Sequence, residues 1–149
     1  ENLLIAPLKI LEKIKEYLKI NNQETTNIYD CDTNITKAEK IARTFVNNWI
    51  SIQLIAEKNN IKFIPVLQPT AFTSKSKKDY LSLNSELQIQ YEIIYKLIKK
   101  KLDKINFDYL NLENSLDKEE NYFIDFCHLS PNGNMIVARD IFNSKFFEN

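Results

Sequence analysis

The chain has 149 residues, with 20 basic and 20 acidic side chains, one histidine, one glycine, two cysteines and 44% apolar residues. That length suffices for one domain with a sizeable core. The cancelled charge removes any overall electrostatic argument for nucleic acid or an anionic membrane surface, and no segment is apolar over enough residues to span a bilayer.

In chain order, residues 4–18 read as a helix with Leu4, Leu8, Leu11 and Leu18 on one face. The run Leu3-Leu4-Ile5-Ala6 is too short for a signal-peptide core, and charges follow it closely; the compartment is left open. Residues 21–34 form a polar connection containing Tyr29-Asp30-Cys31-Asp32. Asp30 and Asp32 read as turn residues before they read as paired carboxylates, because aspartate favours turns. Thr36 is the expected cap of a long helix in which Ile41, Phe45, Trp49, Ile52 and Ala56 share a stripe, ending at Asn59-Asn60.

Residues 61–67 are apolar enough for a buried strand. Pro65 removes a ladder donor and belongs at an edge or a bulge. Gln68 and Pro69 close that strand, where open α/β sheets place their ligands, so Gln68 is a candidate substrate contact. Residues 74–78 are a basic loop, either a solvated connection or a contact for an anionic substrate group. A second helix is expected over 80–102, with Leu87, Tyr91, Ile94 and Ile98 inward and Lys99-Lys100-Lys101 complementing its C-terminal dipole. A second strand follows over 107–112. Strands alternating with long helices predict a parallel α/β sheet. Tyr and Phe fall mainly on helical stripes and read as core, not as a base-stacking platform.

The most informative stretch is Asp125-Phe126-Cys127-His128-Leu129-Ser130-Pro131-Asn132-Gly133-Asn134. It holds the only histidine and the only glycine of the chain. One loop can carry both the carboxylate and the imidazole, with Asp125 bonded to one ring nitrogen and the other nitrogen free as a base. Ser130 is a good N-cap and Pro131 suits the first helical position. Met135, Ala138 and Phe142 follow at helical spacing. Cys127 beside His128 is weighed as a thiol nucleophile and set aside, since such dyads are usually distant in sequence. Cys31 and Cys127 read as free thiols, and one histidine with two distant cysteines gives no metal-ligand spacing.

The pattern Asp125-x-x-His128-Leu129-Ser130-x-x-Gly133-Asn134, followed by an apolar helix, resembles the last sequence block of the SGNH/GDSL hydrolases. The order of elements upstream is similar to the second half of that fold: a long helix, a strand ending in Leu67-Gln68-Pro69-Thr70, a Lys-rich loop, a second helix and the strand Tyr109-Leu110-Asn111-Leu112. The resemblance implies a three-layer α/β/α parallel sheet of flavodoxin-like type, incomplete in this chain. It also implies that Asp125 and His128 belong to a Ser-His-Asp triad that hydrolyses an ester or transfers an acyl group, without a cofactor. Small esters, lipids and acetylated sugars are the substrates it implies.

The family's nucleophile lies in an N-terminal G-D-S-type motif, and a glycine with a G-x-N-type asparagine completes its oxyanion hole. With one glycine, neither glycine-dependent motif is present here. Residues 1–149, which begin Glu1-Asn2, are therefore expected to be the C-terminal portion of a single domain. That portion would pair with a missing N-terminal half or with itself, because an open apolar sheet edge invites another strand. The alternative is a non-catalytic binding or assembly module that keeps the fold and the D-x-x-H block; a G-D-S motif upstream of Glu1 discriminates the two.

Overall fold

The computed structural model describes residues 29–147. The chain divides into two compact units, Glu1–Asp30 and Cys31–Asn149, and the second carries every described helix and strand. The expected helix over 4–18 lies outside the described residues. The described elements are α1 (Ile35–Lys58), β1 (Val66–Leu67), α2 (Ser85–Lys104), β2 (Leu110–Asn111) and α3 (Pro131–Phe142). Among the described residues this is a mixed helix and strand structure with one parallel pair, Val66 opposite Leu110 and Leu67 opposite Asn111. None of these helices is long and apolar enough to cross a membrane.

The α1 segment runs 24 residues without glycine or proline to interrupt it. Its cap is Asn34, not Thr36: the Asn34 side-chain oxygen accepts from the Lys37 N–H at 3.0 Å, an equally good capping chemistry two residues earlier. The apolar stripe also differs from the expected one. Ala38, Ala42, Val46 and Ala56 are buried and Phe45 and Trp49 half-buried, whereas Ile41 and Ile52 are 41% and 44% exposed. Small alanines let α2 approach closely, so packing selects their side of a helix that is apolar over a wider arc. Ala42, Val46, Leu67, Ile98 and Leu102 form the resulting core, with Trp49, Phe107 and Tyr109 against it. A Lys101–Glu39 ion pair adds a rim contact between the two helices.

The α2 helix begins at Ser85, not at Tyr80. Asn84 accepts from the Leu87 N–H at 2.8 Å and sets the start. Tyr80 is instead held in a preceding turn, its hydroxyl donating to the Phe123 carbonyl at 2.8 Å and accepting from the Phe123 N–H at 3.1 Å. Ile98 is buried, and Leu87, Tyr91 and Ile94 are half-buried, as their spacing predicts.

Both long helices end in the same way. Asn60 (φ 55°) and Asn106 (φ 50°) adopt the left-handed conformation. After α1, the Ile61 N–H bonds the Ala56 carbonyl and the Asn60 N–H the Glu57 carbonyl; after α2, Phe107 bonds Leu102 and Asn106 bonds Asp103. These are two Schellman motifs in which asparagine stands where glycine is usual. Each turns the chain out of its helix toward a strand.

The strands are shorter than 61–67 and 107–112, and prolines explain the first. Pro65 has no N–H, but its carbonyl accepts from the Leu110 N–H at 2.9 Å, and the last rung runs from the Leu112 N–H to the Leu67 carbonyl at 3.0 Å. Pro69 follows at once. The ladder is therefore bracketed by two residues that cannot donate, and Ile61 is left 62% exposed.

The α3 helix carries its expected cap: Ser130 Oγ accepts from the Gly133 N–H at 3.3 Å, with Pro131 at the first position. Met135, Ala138 and Phe142 keep helical spacing but do not form its inward face. Met135 and Phe142 are 66% and 72% exposed, while Ile136 and Val137 pack on a second core of Ala71, Leu116, Tyr122 and Phe123.

Replacing Asn106 tests the helix-end geometry. Asn106→Gly is expected to hold or raise stability, because it removes a Cβ penalised at positive φ, and Asn106→Ala to lower it by about 1 kcal/mol, because alanine keeps the Cβ and loses the polar side chain that makes this region tolerable. A urea melt measures both; equal midpoints for the two variants would contradict the left-handed assignment.

Candidate functional site

The segment 122–130 doubles back on itself. Phe123 and Leu129 form an antiparallel bridge. The Ile124 N–H donates to the His128 carbonyl at 2.8 Å and the Ser130 N–H to the Tyr122 carbonyl at 2.7 Å. Asp125 to His128 form the tip of this loop, and α3 starts where it ends.

Gly133 permits the arrangement. A Cβ there would sit 2.6 Å from the Tyr122 carbonyl oxygen and 3.3 Å from Leu129 Cβ. The first turn of α3 lies against the backbone of the loop, and only a residue without a side chain fits. This contact also explains why the Ile136 and Val137 side of α3 is the one turned inward.

Asp125 organises the tip. One carboxylate oxygen, Oδ1, accepts from the Cys127 N–H at 2.9 Å and the His128 N–H at 2.8 Å. The other, Oδ2, lies 2.7 Å from His128 Nδ1. An ionised carboxylate only accepts, so Nδ1 carries the proton in this pair and Nε2 is the open nitrogen. Nε2 has no hydrogen-bond partner among the described residues, and the His128 side chain is 74% exposed. Asp125 and His128, expected to act together, are thus in contact.

Three donors on one carboxyl hold Asp125 far below the usual carboxylate range: first the Cys127 backbone N–H, then the His128 backbone N–H, then the His128 ring. Cys127 Sγ lies 3.7 Å from His128 Nδ1, the nitrogen already engaged by Asp125. Burial, and then the Asp125 charge, push the Cys127 thiol up. A thiol pushed up and facing an occupied nitrogen is a poor catalytic nucleophile. Cys31 and Cys127 are both free.

The loop is tied to the rest of the unit from below. The Phe126 carbonyl accepts from the Ala71 N–H at 2.9 Å. The Phe126 ring stacks on Phe72 (5.7 Å between centroids) and meets Tyr91 of α2 edge-on at 5.9 Å. Phe72, Tyr80, Leu83, Leu87 and Ile124 line a pocket of about 330 Å³ that Asp125 borders.

Gln68 is elsewhere. Its side chain is exposed at the end of β1, and its carbonyl accepts from the Tyr95 hydroxyl at 3.1 Å. Burial chiefly raises the Tyr95 phenol. Gln68 borders a cleft of about 480 Å³ between α1 and α2, floored by Leu67 and walled by Phe45, Trp49 and Tyr91; neither Asp125 nor His128 lines it.

The basic loop is more structural than its composition suggests. Lys78 Nζ donates to the carbonyls of Ala71 (2.8 Å) and Ser74 (2.9 Å). Ser74 Oγ donates to the Leu116 carbonyl at 3.1 Å, and the Lys75 N–H to Asp117 at 2.7 Å. Only Lys75 and Lys77 of its lysines are exposed. Lys99 of the lysine run pairs with Glu113.

Sequence reasoning missed the convergence of Cys127 on the Asp125–His128 pair. Asp125, Cys127 and His128 offer a carboxylate oxygen, a sulfur and a ring nitrogen within 4.8 Å of one another. The i, i+2, i+3 spacing on a tight loop is the signal that would have found it.

Two outcomes check this geometry. Gly133→Ala should cost about 2 kcal/mol in a denaturant melt, because overpacking against backbone outruns a helix-propensity gain of about 1 kcal/mol; a stabilised variant would contradict the close approach. The second concerns pH. The Asp125 carboxyl is lowered in the folded state, so its contribution to stability is present above the unfolded value of about 3.9 and is lost as pH falls through the lower folded value. In a carbon-detected NMR titration Asp125 is expected to stay ionised below about pH 3.9. An inflection there would contradict the three-donor cradle.

No family model, no curated protein and no solved structure matches this chain.

Proposed function

We propose that this chain contributes the aspartate and histidine of a Ser-His-Asp triad in an ester hydrolase or acyl transferase of SGNH/GDSL type. The observation that carries the reading is the Asp125 Oδ2 to His128 Nδ1 contact of 2.7 Å with Nε2 left open at the surface. The serine would come from outside the described residues and attack the acyl carbon of a small ester, a lipid or an acetylated sugar. His128 Nε2 would take its proton and return it to the leaving alcohol, while Asp125 holds the tautomer and stabilises the imidazolium. The chemistry requires no cofactor.

On the same reading, the β1–β2 pair is part of a larger three-layer α/β/α parallel sheet, and the side of β1 away from β2, unpaired among the described residues, receives a strand from an N-terminal half or a second copy. Exposed Ile41 and Ile52 on α1 support this, since an apolar side uncovered here would be covered in the assembled domain. Gln68, at the end of β1 on the cleft between α1 and α2, is the proposed substrate contact.

Hydrolysis of a short-chain activated ester, and labelling by a serine-directed phosphonate, test the proposal in the chain alone and in the longest natural polypeptide that contains it. The chain alone is expected to be inactive. In the longer polypeptide His128→Ala should reduce turnover by about 10²–10⁴-fold, the usual worth of a general acid–base. Turnover indifferent to His128→Ala would refute the triad. Inhibitor-sensitive turnover by the chain alone, lost in His128→Ala, would refute an external serine.

A further inference from the structure

We propose that Asp125, Cys127 and His128 form a binding site for a zinc-class transition-metal ion, held by Asp125 Oδ2, Cys127 Sγ and His128 Nδ1 with one coordination position open to solvent. A carboxylate oxygen of Asp125, the Cys127 sulfur and a ring nitrogen of His128, all from one four-residue stretch, already lie within 4.8 Å of one another. Zinc binds sulfur at about 2.3 Å and imidazole nitrogen at about 2.0–2.1 Å, so the edge of a tetrahedron between them measures about 3.6 Å. The observed separation of Cys127 Sγ and His128 Nδ1 is 3.7 Å. That edge requires no rearrangement.

The carboxylate edge needs a small one. Asp125 Oδ2 and His128 Nδ1 stand at hydrogen-bond distance, 2.7 Å. An ion replacing the shared proton would open this to about 3.4 Å with zinc–oxygen and zinc–nitrogen bonds of ordinary length. The ring that has to move is 74% exposed, so no core packing resists it. The oxygen that has to stay is held in place, because Asp125 Oδ1 remains on the Cys127 and His128 backbone N–H groups. Phe126, turned onto Phe72 and Tyr91, fixes the backbone between the two outer ligands.

The donor set selects the ion. One sulfur, one imidazole and one carboxylate suit zinc and its neighbours and not magnesium or calcium, which take oxygen ligands. On binding, the Cys127 thiol gives up its proton to solvent, while the neutral His128 ring changes tautomer, losing the Nδ1 proton and gaining one at Nε2 from solvent, so that the metal–sulfur and metal–nitrogen bonds form at deprotonated atoms. The inference stands apart from the triad but draws on the same two atoms. An ion on Oδ2 and Nδ1 removes the hydrogen bond that the triad uses, so the two states of the loop exclude one another.

The test is a titration of the purified full chain with Co²⁺ alone, read by absorption. One equivalent is expected to produce d–d bands and a thiolate-to-cobalt charge-transfer band, displaced by Zn²⁺ and not by excess Mg²⁺. Cys127→Ser should abolish the charge-transfer band, and His128→Ala should weaken Co²⁺ binding by at least tenfold, each variant being checked for fold by circular dichroism. Independently, Zn²⁺ should slow alkylation of Cys127 by iodoacetamide in the unmutated chain, located by mass spectrometry. Absence of the band, its persistence in Cys127→Ser, or alkylation of Cys127 unaffected by Zn²⁺ would overturn the site. None of these readouts involves ester turnover, so the site and the triad fail separately.

Discussion

With one glycine in 149 residues, this backbone meets its sharpest demands with few permissive positions. Among the described residues the two left-handed conformations fall to Asn60 and Asn106, whose short polar side chains tolerate that region better than most. The glycine itself is placed where a second backbone approaches within a Cβ's reach, at the first turn of α3 against the Tyr122 carbonyl. The asparagines direct α1 and α2 toward the parallel pair. The glycine seats α3 against the loop that carries Asp125 and His128. Strand placement and site placement both depend on this division.

The loop at the site is held from several sides by different kinds of contact. A backbone hydrogen bond joins it to Ala71, a tyrosine hydroxyl joins it to the turn before α2, and aromatic packing joins Phe126 to Phe72 and Tyr91. At its tip one carboxylate satisfies two backbone donors and a ring. Charge-assisted bonds of this kind are stronger than neutral ones, and they keep Asp125 ionised. The result is a preorganised acceptor beside an exposed imidazole, a geometry suited to orienting a base or to receiving a cation. The Cys127 thiol places a sulfur donor beside that pair.

Two small cores serve this arrangement, one between α1 and α2 and one beneath the loop. Both leave large apolar side chains outside: Ile52, Leu54 and Ile55 on α1, Met135 and Phe142 on α3. Single exposed apolar residues are ordinary. Ile52 and Ile55 share one side of α1, and Met135 and Phe142 one side of α3.

Local chemistry was legible in the sequence. Ser130 and Pro131 mark the start of α3 because capping and a fixed φ are properties of those residues alone. Three-residue spacing brings Asp125 and His128 within reach because a short loop has few ways to close. The alternation of helix and strand followed from periodicity and yielded the parallel pair. Tertiary structure decided every choice among equivalent faces and lengths. Thr36 and Asn34 are both competent caps, and the chain used the earlier one. The stripe of Ile41 and Ile52 lost to Ala38 and Ala42 because close helix packing rewards small side chains, and Met135 and Phe142 lost to Ile136 and Val137 because Gly133 had to face Tyr122. The approach of Cys127 to His128 is a distance between side chains on a bent loop. Such distances are set by what holds the loop from below, which a linear pattern does not contain.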